Sequence, residues 1–197
     1  MLPTTPQHEK ARKVVLLGDT QVGKTSLINR LINDSEPIGL QPTIGCHCFD
    51  FKVDIGNIGV PLQLWDTAGQ EIYSSIVPVY TRNAQAALVL FALNEESSFD
   101  HLSRWLDLLS ETTPPDTPIF IIGSKLDLEN DRKITHEQAT QYTDTVNAKY
   151  FEISSMTGQG VEELFLSVAQ SLLNTNNSDS IQNLKGESKH TQENDCC

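Results

Sequence analysis

The sequence has few cysteines, no long apolar run and a shortage of basic residues. Its four cysteines form two close pairs, Cys46 with Cys48 and Cys196 with Cys197, so a disulfide within a pair could not close a long loop. We therefore expect no disulfide framework and a reducing environment. The first ten residues hold no apolar run, and no stretch approaches the ~20 apolar residues of a transmembrane helix, so we expect neither a signal peptide nor a membrane span.

Negative charge dominates: 14 Lys and Arg oppose 26 Asp and Glu, for a formal net charge of -12. Nucleic-acid binding relies on a basic surface, and adhesion to anionic lipid relies on basic clusters, so neither is expected as the main mode of binding. The chain has 197 residues, of which 38% are hydrophobic. That is enough for one domain with an ordinary core.

Short apolar runs alternate with helical stripes along the chain. Runs typical of strands cover residues 14–17, 86–93, 119–122 and 151–153, and an alternating stretch at 49–55 returns through a turn at 56–59 as 62–65. Helical stripes cover residues 24–33, 99–109 (Ser98 is a candidate N-cap) and 161–172, and Thr135 with Gln138 resembles a capping box before another helix. Strands that alternate with helices indicate a mostly parallel sheet, to which the hairpin adds an antiparallel strand.

The composition changes at Asn174, after which Asn, Ser, Gln and Lys dominate. We predict a domain over residues 11–173, a short flexible segment at 1–10, and a disordered tail over 174–197 that ends in Cys196-Cys197.

The most specific motif is Gly-Asp-Thr-Gln-Val-Gly-Lys-Thr at residues 18–25, which fits G-x-x-x-x-G-K-[ST] between a predicted strand and a predicted helix. Glycines let backbone N–H groups turn around an anion, and a helix N-terminus adds its dipole. Lys24 would reach the β- and γ-phosphates, and the Thr25 hydroxyl would bind Mg²⁺. The alternative, a glycine-rich turn that happens to contain a lysine, is disfavoured by the strand and helix on either side. The motif predicts a nucleoside triphosphate site.

A second constellation follows the hairpin, in Trp-Asp-Thr-Ala-Gly-Gln-Glu at residues 65–71. Asp66 would end a buried strand that faces the phosphate loop, where it can hold Mg²⁺. At Gly69 the backbone can approach a γ-phosphate, and Gln70 can orient an attacking water. Taken alone, Asp66 could be a helix N-cap and Gln70 a solvated surface residue.

These motifs make residues 14–173 resemble the Ras superfamily of small GTPases, and within it the Rab branch. The resemblance also rests on residues 42–45 (Pro-Thr-Ile-Gly), 124–127 (Ser-Lys-Leu-Asp), 154–156 (Ser-Ser-Met) and the terminal Cys196-Cys197. It implies a three-layer α/β P-loop fold, with a mostly parallel six-stranded sheet, helices on both faces and one antiparallel hairpin strand.

The resemblance also implies site residues. Thr43 would bind Mg²⁺ together with Thr25 and Asp66, and Asp127 would read guanine while the Lys125 stem covers the ring. The implied nucleotide contacts are Gly18, Asp19, Gln21, Val22, Gly23, Lys24, Thr25, Ser26, Thr43, Gly69, Ser124, Lys125, Asp127, Ser154, Ser155 and Met156. The implied effector surface is Ile44, Trp65 and Tyr80.

Three residues around the expected base site depart from the family pattern. Ser124 replaces an Asn that ties the base-reading loop to the phosphate loop, Glu36 replaces an aromatic that stacks beside the base, and Met156 replaces a common Lys. We predict weaker or faster-exchanging guanine binding with the phosphate chemistry intact.

Two further features lie on the expected second strand. Cys48 stands where an effector-binding Phe is usual, and the neighbouring Phe49 would face the other way, so we expect altered effector specificity. Cys46-His47-Cys48 could suggest a metal site, but no second Cys/His pair accompanies it in the domain, and we interpret it as a plain strand.

The implied activity is hydrolysis of GTP to GDP and phosphate, with Gln70 and Lys24 as catalytic residues and Mg²⁺ as cofactor. The implied partners are effectors, an exchange factor, an activating protein and a GDP-dissociation inhibitor, around a monomeric domain. Cys196 and Cys197 would be prenylated and would anchor the protein to the cytoplasmic face of endomembranes, in vesicle traffic. A guanine-nucleotide-dependent scaffold with little hydrolysis is the alternative. A small-metabolite kinase would need an arginine-rich lid, which the sequence lacks.

Overall fold

The computed structural model describes residues 10–39, 41, 43–68 and 77–185, with side chains as far as residue 175. Six strands lie in this part of the chain: β1 (Arg12–Leu17), β2 (Cys46–Ile55), β3 (Ile58–Thr67), β4 (Ala86–Ala92), β5 (Ile119–Ser124) and β6 (Lys149–Glu152). The helices described are α1 (Lys24–Asn33), α2 (Val77–Thr81), α3 (Glu96–Asp100), α4 (Leu102–Thr112), α5 (His136–Thr145) and α6 (Val161–Lys185), and a 3₁₀ turn covers Glu129–Asp131.

The strands form one sheet in the order β2-β3-β1-β4-β5-β6. The hairpin pair β2 and β3 is antiparallel, and every other neighbouring pair is parallel. The predicted six-stranded, mostly parallel sheet with one antiparallel hairpin strand is therefore confirmed. Because β1, β3, β4, β5 and β6 run in one direction, the loops that follow them meet at one edge of the sheet, where ligands bind in open α/β sheets.

The sheet separates two apolar cores. Val14 and Leu16 of β1 face a core that also holds residues of α1 and α6, while Val15 and Leu17 face a second core with residues of α4 and α5. Strands buried on both faces are the reason that β1 and β4 read as continuous apolar runs. The helices thus cover both faces of the sheet, as predicted.

Local sequence signals are confirmed at one helix start and fail at another. The capping box of α5 is formed: the Thr135 hydroxyl accepts from the Gln138 backbone N–H, and the Gln138 side chain accepts from the Thr135 N–H. The prediction that Ser98 is an N-cap is wrong, because α3 begins at Glu96 with Glu95 at its N-cap. The Ser98 hydroxyl lies one turn inside, where it donates to the Glu95 carbonyl oxygen at 2.7 Å.

The last helix, α6, continues to Lys185, past the position at which the composition predicted the end of the domain. The boundary at residue 173 stays a prediction. Among the helices that the structure describes, none combines the length and apolar character needed to cross a membrane.

Candidate nucleotide-binding site

The loop between β1 and α1 wraps around the first turn of α1. Gly18 (φ +134°) and Gly23 (φ +97°) have backbone conformations that other residues rarely adopt, and a Cβ at Gly18 would collide with the Leu90 carbonyl oxygen. Gly23 is the N-cap of α1, so backbone N–H groups at the start of α1 point out of the helix end. The loop has the geometry of an anion site.

Lys24 occupies the centre of this loop and is buried, with 6% of its surface exposed. Its Nζ donates to the carbonyl oxygens of Gly18 and Asp19, both at 2.7 Å. Burial lowers the pKa of Lys24 to about 8, although the Asp66 and Asp19 carboxylates act in the opposite direction. An ammonium group destabilised by desolvation is a strong partner for an incoming phosphate.

The three residues predicted to hold Mg²⁺ come together from α1, the segment before β2, and the end of β3. The hydroxyl oxygens of Thr25 and Thr43 are 2.6 Å apart, and both groups donate to Asp66 Oδ2, at 2.6 and 3.2 Å. Burial raises the pKa of the Asp66 carboxyl, while hydrogen bonds from Thr25 and Thr43 and the nearby charge of Lys24 lower it.

These donors fit a magnesium ion. Asp66 Oδ1 is buried and has no hydrogen-bond partner among the described residues, which leaves one carboxylate oxygen free for a cation or its water. Two hydroxyls and one carboxylate offer only oxygen ligands, and Mg²⁺ typically takes few protein oxygens while it keeps several waters.

A cavity of about 220 Å³ lies beside the phosphate loop, at the ends of β5 and β6. It is lined by Gln21, Gly23, Ser26, Pro37, Ser124, Lys125, Asp127, Leu128, Ser155 and Met156. Most of the residues that the resemblance assigned to nucleotide binding on the base side therefore line one cavity. Ser154 is buried behind it and donates from Oγ to Asp127 Oδ1 at 2.5 Å, which orients that carboxylate.

Ser124 links the base side to the phosphate loop in spite of its short side chain. Its hydroxyl donates to the Val22 carbonyl oxygen at 2.6 Å, and the Phe91 carbonyl oxygen is a second acceptor at 2.9 Å. The replacement of an Asn by the shorter Ser124 was one of the three departures from which we expected weaker guanine binding. The tie to the phosphate loop is nevertheless present.

Several contacts at the site were not foreseen. The Asp19 carboxylate turns away from the loop toward α4, where Trp105 Nε1 donates to it at 2.9 Å and His101 Nδ1 lies 2.6 Å away. Gln21 has a left-handed backbone (φ +65°) although it is not glycine. Pro37 lines the cavity. Only the proline could have been suspected from its place in the loop, because the other contacts depend on tertiary structure.

The residues predicted for an effector surface lie near β3 and before β2, and their role there stays a prediction. The rings of Trp65 and Tyr80 lie 6.3 Å apart between centroids, and Ile44 is 77% exposed. Cys48 pairs with Trp65 across the hairpin and is exposed, whereas Phe49 packs against the core on the other face. The reversal expected for Phe49 is confirmed.

Four predicted site residues lie outside the described residues: Gly69 and Gln70 of the hydrolytic segment, and the terminal Cys196 and Cys197.

Comparison with known proteins places the chain in a family. Residues 13–174 match the Ras family. Human Ras-related protein Rab-34 is 39% identical over 163 residues, which cover 81% of this chain but only 63% of Rab-34. Human Ras-related protein Rab-17 is 38% identical over 170 residues, 85% of this chain and 79% of Rab-17. Ras-related protein Rab-5A of Dictyostelium discoideum is 37% identical over 163 residues, 83% of this chain and 81% of Rab-5A. The chain therefore belongs to the Ras family of small GTPases and is Rab-like in sequence.

Proposed function

We propose that this protein binds GTP and GDP and hydrolyses GTP as a molecular switch. The observation that carries the proposal is the juxtaposition of two half-sites at one edge of the sheet. The buried Lys24 and the Thr25–Thr43–Asp66 cluster supply the phosphate half, and the cavity that Asp127 lines supplies the base half. A nucleotide that spans both halves satisfies the phosphate donors and the carboxylate acceptor at once.

On the phosphate side, Lys24 would exchange its two carbonyl partners for β- and γ-phosphate oxygens. Thr25 and Thr43 would offer hydroxyl oxygens to Mg²⁺, with Asp66 holding one of its waters. When bound, Mg²⁺ supplies positive charge that offsets the negative charge growing on the phosphates in the transition state.

On the base side, the Asp127 carboxylate would accept two hydrogen bonds from guanine, one from N1–H and one from the amino group. Adenine does not present that pair of donors at this edge. Ser154 Oγ donates to Asp127 Oδ1 and not to Oδ2, so this hydrogen bond does not occupy the second carboxylate oxygen.

For hydrolysis, Gln70 would orient the attacking water in line with the γ-phosphate. The segment between α1 and β2, residues 34–45, contains no arginine, so an arginine supplied in trans by an activating protein would be needed for fast turnover. Such proteins hydrolyse GTP at about 10⁻⁴ s⁻¹ alone, and an arginine in trans adds about 10³–10⁵-fold. Release of the γ-phosphate would free Thr43 and Gly69, which is the switching event.

The Rab-like sequence supports a role in vesicle traffic. Effectors would read Ile44, Trp65 and Tyr80, and an exchange factor, an activating protein and a GDP-dissociation inhibitor would control the cycle. Cys196 and Cys197 would carry two prenyl groups, because one lipid gives marginal membrane binding and two give stable anchoring. The tail is not polybasic, so the lipids would supply the attachment to endomembranes. Mass spectrometry of protein from its native cell tests this.

A second candidate is a nucleotide-dependent scaffold that hydrolyses little. Glu36 is exposed where the family has an aromatic beside the base, and Met156 is 41% exposed. Both departures favour fast exchange of the bound nucleotide.

Single-turnover GTP hydrolysis separates the two candidates. For the switch, we expect the wild-type protein preloaded with GTP to release phosphate slowly but measurably, and Gln70→Leu to reduce the rate at least tenfold. Equal rates for both proteins, indistinguishable from GTP in buffer, would support the scaffold and refute the GTPase.

A further inference from the structure

The cavity beside the phosphate loop is lined by apolar side chains from three separate loops: Leu128 follows β5 near Asp127, and Pro37 and Met156 come from the other two. Glu36, the residue aligned with the expected aromatic, is exposed and does not line the cavity. The next residue, Pro37, does line it and is half-buried. A backbone hydrogen bond from Ile38 N–H to the Glu36 carbonyl oxygen at 2.9 Å makes a tight turn around Pro37. The chain path therefore presents the proline ring, and not the glutamate, to the cavity.

Met156 reaches the same cavity from the loop after β6. Its main chain is fixed from α1, because Arg30 Nη2 donates to the Met156 carbonyl oxygen at 2.8 Å. The following residues are also held, since Thr157 N–H donates to Ser154 Oγ at 3.1 Å and Gly158 N–H donates to the Ser154 carbonyl oxygen at 2.8 Å. The backbone is thus set while the thioether side chain stays 41% exposed at the cavity wall.

We propose that Pro37 and Met156 together form the apolar contact surface for the faces of the bound base, in place of an aromatic side chain. This inference rests on the proposed function and adds which residues hold the base. A purine is apolar on its faces and polar on its edges, so one set of contacts can read the edge while another covers the faces. Asp127 serves the edge, and the Pro37–Met156 pair serves the faces together with the Lys125 stem, which lines the same cavity.

The two side chains suit this role for different physical reasons. Proline loses no side-chain conformational entropy on binding, so its ring offers a ready surface. Methionine is flexible and polarisable, and its sulfur makes favourable contacts with aromatic rings. One expectation from the sequence changes: the departures at positions 36 and 156 were expected to weaken guanine binding, but Pro37 and the Met156 side chain make up for them.

Contacts to the faces of a base do not depend on its edge groups, which gives the proposal a specific signature. Removing a face contact should weaken GDP and inosine diphosphate, which lacks the 2-amino group, by the same factor. It should leave binding of inorganic pyrophosphate with Mg²⁺ unchanged, because pyrophosphate has no base. A disturbance of the whole site would weaken all three.

The experiment measures dissociation of a fluorescent GDP analogue and competition by GDP, inosine diphosphate and pyrophosphate. We expect Pro37→Ala and Met156→Ala each to speed release by about three- to tenfold, as the loss of one or two buried methylene-sized contacts would give. Pro37→Val and Met156→Leu keep an apolar side chain and should stay within about twofold of wild type, since they retain most of that contact.

Matched controls remove apolar side chains that do not line the cavity. Ile38 is the next residue along the loop and is 76% exposed, and Ile32 on α1 is 41% exposed, as is Met156. We expect Ile38→Ala and Ile32→Ala to leave nucleotide release unchanged. Glu36→Phe should also change release by less than about twofold, because position 36 does not line the cavity.

The outcomes separate the proposal from the function on which it rests. If wild type binds pyrophosphate but retains no GDP, the proposed function is wrong and the pair with it. The pair alone is refuted if wild type retains GDP but Pro37→Ala and Met156→Ala release it at the wild-type rate. It is also refuted if these variants bind pyrophosphate more weakly by the same factor as GDP. Slower release by at least tenfold in Glu36→Phe would likewise overturn it.

Discussion

The phosphate half and the base half of the site are built in different ways. The phosphate half is formed by one continuous loop plus Thr43 and Asp66. Its key groups are buried and hydrogen-bonded, Lys24 to backbone carbonyl oxygens of the loop and Asp66 to the Thr25 and Thr43 hydroxyls. The base half is assembled from three separate loops, and Asp127, Leu128 and Met156 are exposed. Departures from the family pattern fall in the base half.

The difference follows from what each half must recognise. A polyphosphate with Mg²⁺ demands fixed charges at fixed places, so few residue types can serve there. Binding the face of a base requires only apolar contact, which Pro, Met or an aromatic side chain can supply from slightly different positions. We therefore expect substitutions in the phosphate half to have larger effects than those in the base half.

The largest effect is expected at Lys24. Lys24→Ala removes the buried cation of the phosphate loop, and charge-assisted bonds are worth ~1.5–3 kcal/mol each, so GDP affinity should fall by about 100-fold or more. Titration calorimetry with GDP and Mg²⁺ measures this. Lys133→Ala, which removes an exposed lysine, should bind as wild type does. If Lys24→Ala bound GDP as tightly as wild type, the larger effect expected in the phosphate half than in the base half would be wrong.

A smaller effect that requires the metal is expected at Asp66. Asp66→Asn should reduce the gain in GDP affinity that Mg²⁺ provides by about 10–100-fold, as loss of a group that orients metal-bound water does. In EDTA the variant should bind GDP at least as well as wild type, because a negative charge near the phosphates is gone. Asp54→Asn, at an exposed carboxylate on the same hairpin, is the control. An equal loss with and without Mg²⁺ would contradict the assignment of Asp66 to the metal.

The connection between the halves is tested at Ser124. Ser124→Ala leaves the buried Val22 carbonyl oxygen without this donor, and an unpaired buried group costs about 1–3 kcal/mol. We expect GDP release, measured by stopped-flow fluorescence, to be faster by at least about fivefold, which is the lower end of that cost. The exposed Ser103→Ala is the control. An unchanged rate would mean that the two halves hold the nucleotide independently.

The smallest effect on nucleotide binding is expected at Glu152, the last residue of β6. Its substitution should instead change the stability of the fold. Its carboxylate accepts from Arg132 Nη2 at 2.6 Å and from the Tyr150 hydroxyl at 2.8 Å. Burial favours the neutral form, but the hydrogen bonds from Arg132, Tyr150 and His136 outweigh it, so the pKa of Glu152 is lowered from its usual 4.5.

A lowered pKa in the folded protein means that the carboxylate stabilises the fold above pH 4.5, and that this contribution is lost as the pH falls through the lowered pKa. Glu152→Gln should therefore reduce the free energy of unfolding by about 1–3 kcal/mol at pH 7 and by progressively less below pH 4.5. Urea unfolding across that range measures the difference. A difference that does not shrink in acid would show that the charge of Glu152 is not what matters.

The strands and the phosphate loop were predictable from sequence because their signals are local. The motif at residues 18–25 places glycine, lysine and threonine next to one another, and the apolar runs of β1 and β4 identify strands buried on both faces. The Thr135–Gln138 capping box was predicted for the same reason. In each case the residues that interact are close in sequence.

The errors and omissions concern distant partners or exact positions. Ser98 was predicted to be a helix N-cap, but α3 begins earlier, at Glu96. The Ser98 hydroxyl instead donates to the Glu95 carbonyl oxygen. The partners of Asp19 are the N-cap residue of α4, His101, and Trp105 on α4, both more than 80 residues away, so no local pattern predicts them. Pro37, and not Glu36, lines the cavity because of the exact path of one loop, and the sequence alone does not give that path to within one residue.

The central claim is that one guanine nucleotide spans both halves of the site. The most direct measurement is to purify the full chain in Mg²⁺, denature it, and identify and count the nucleotide released by chromatography, then to reload it from an equimolar mixture of GDP and ADP. We expect about one guanine nucleotide per chain and reloading with GDP alone. Protein that carries no guanine nucleotide, or that reloads equally with ADP, would contradict it.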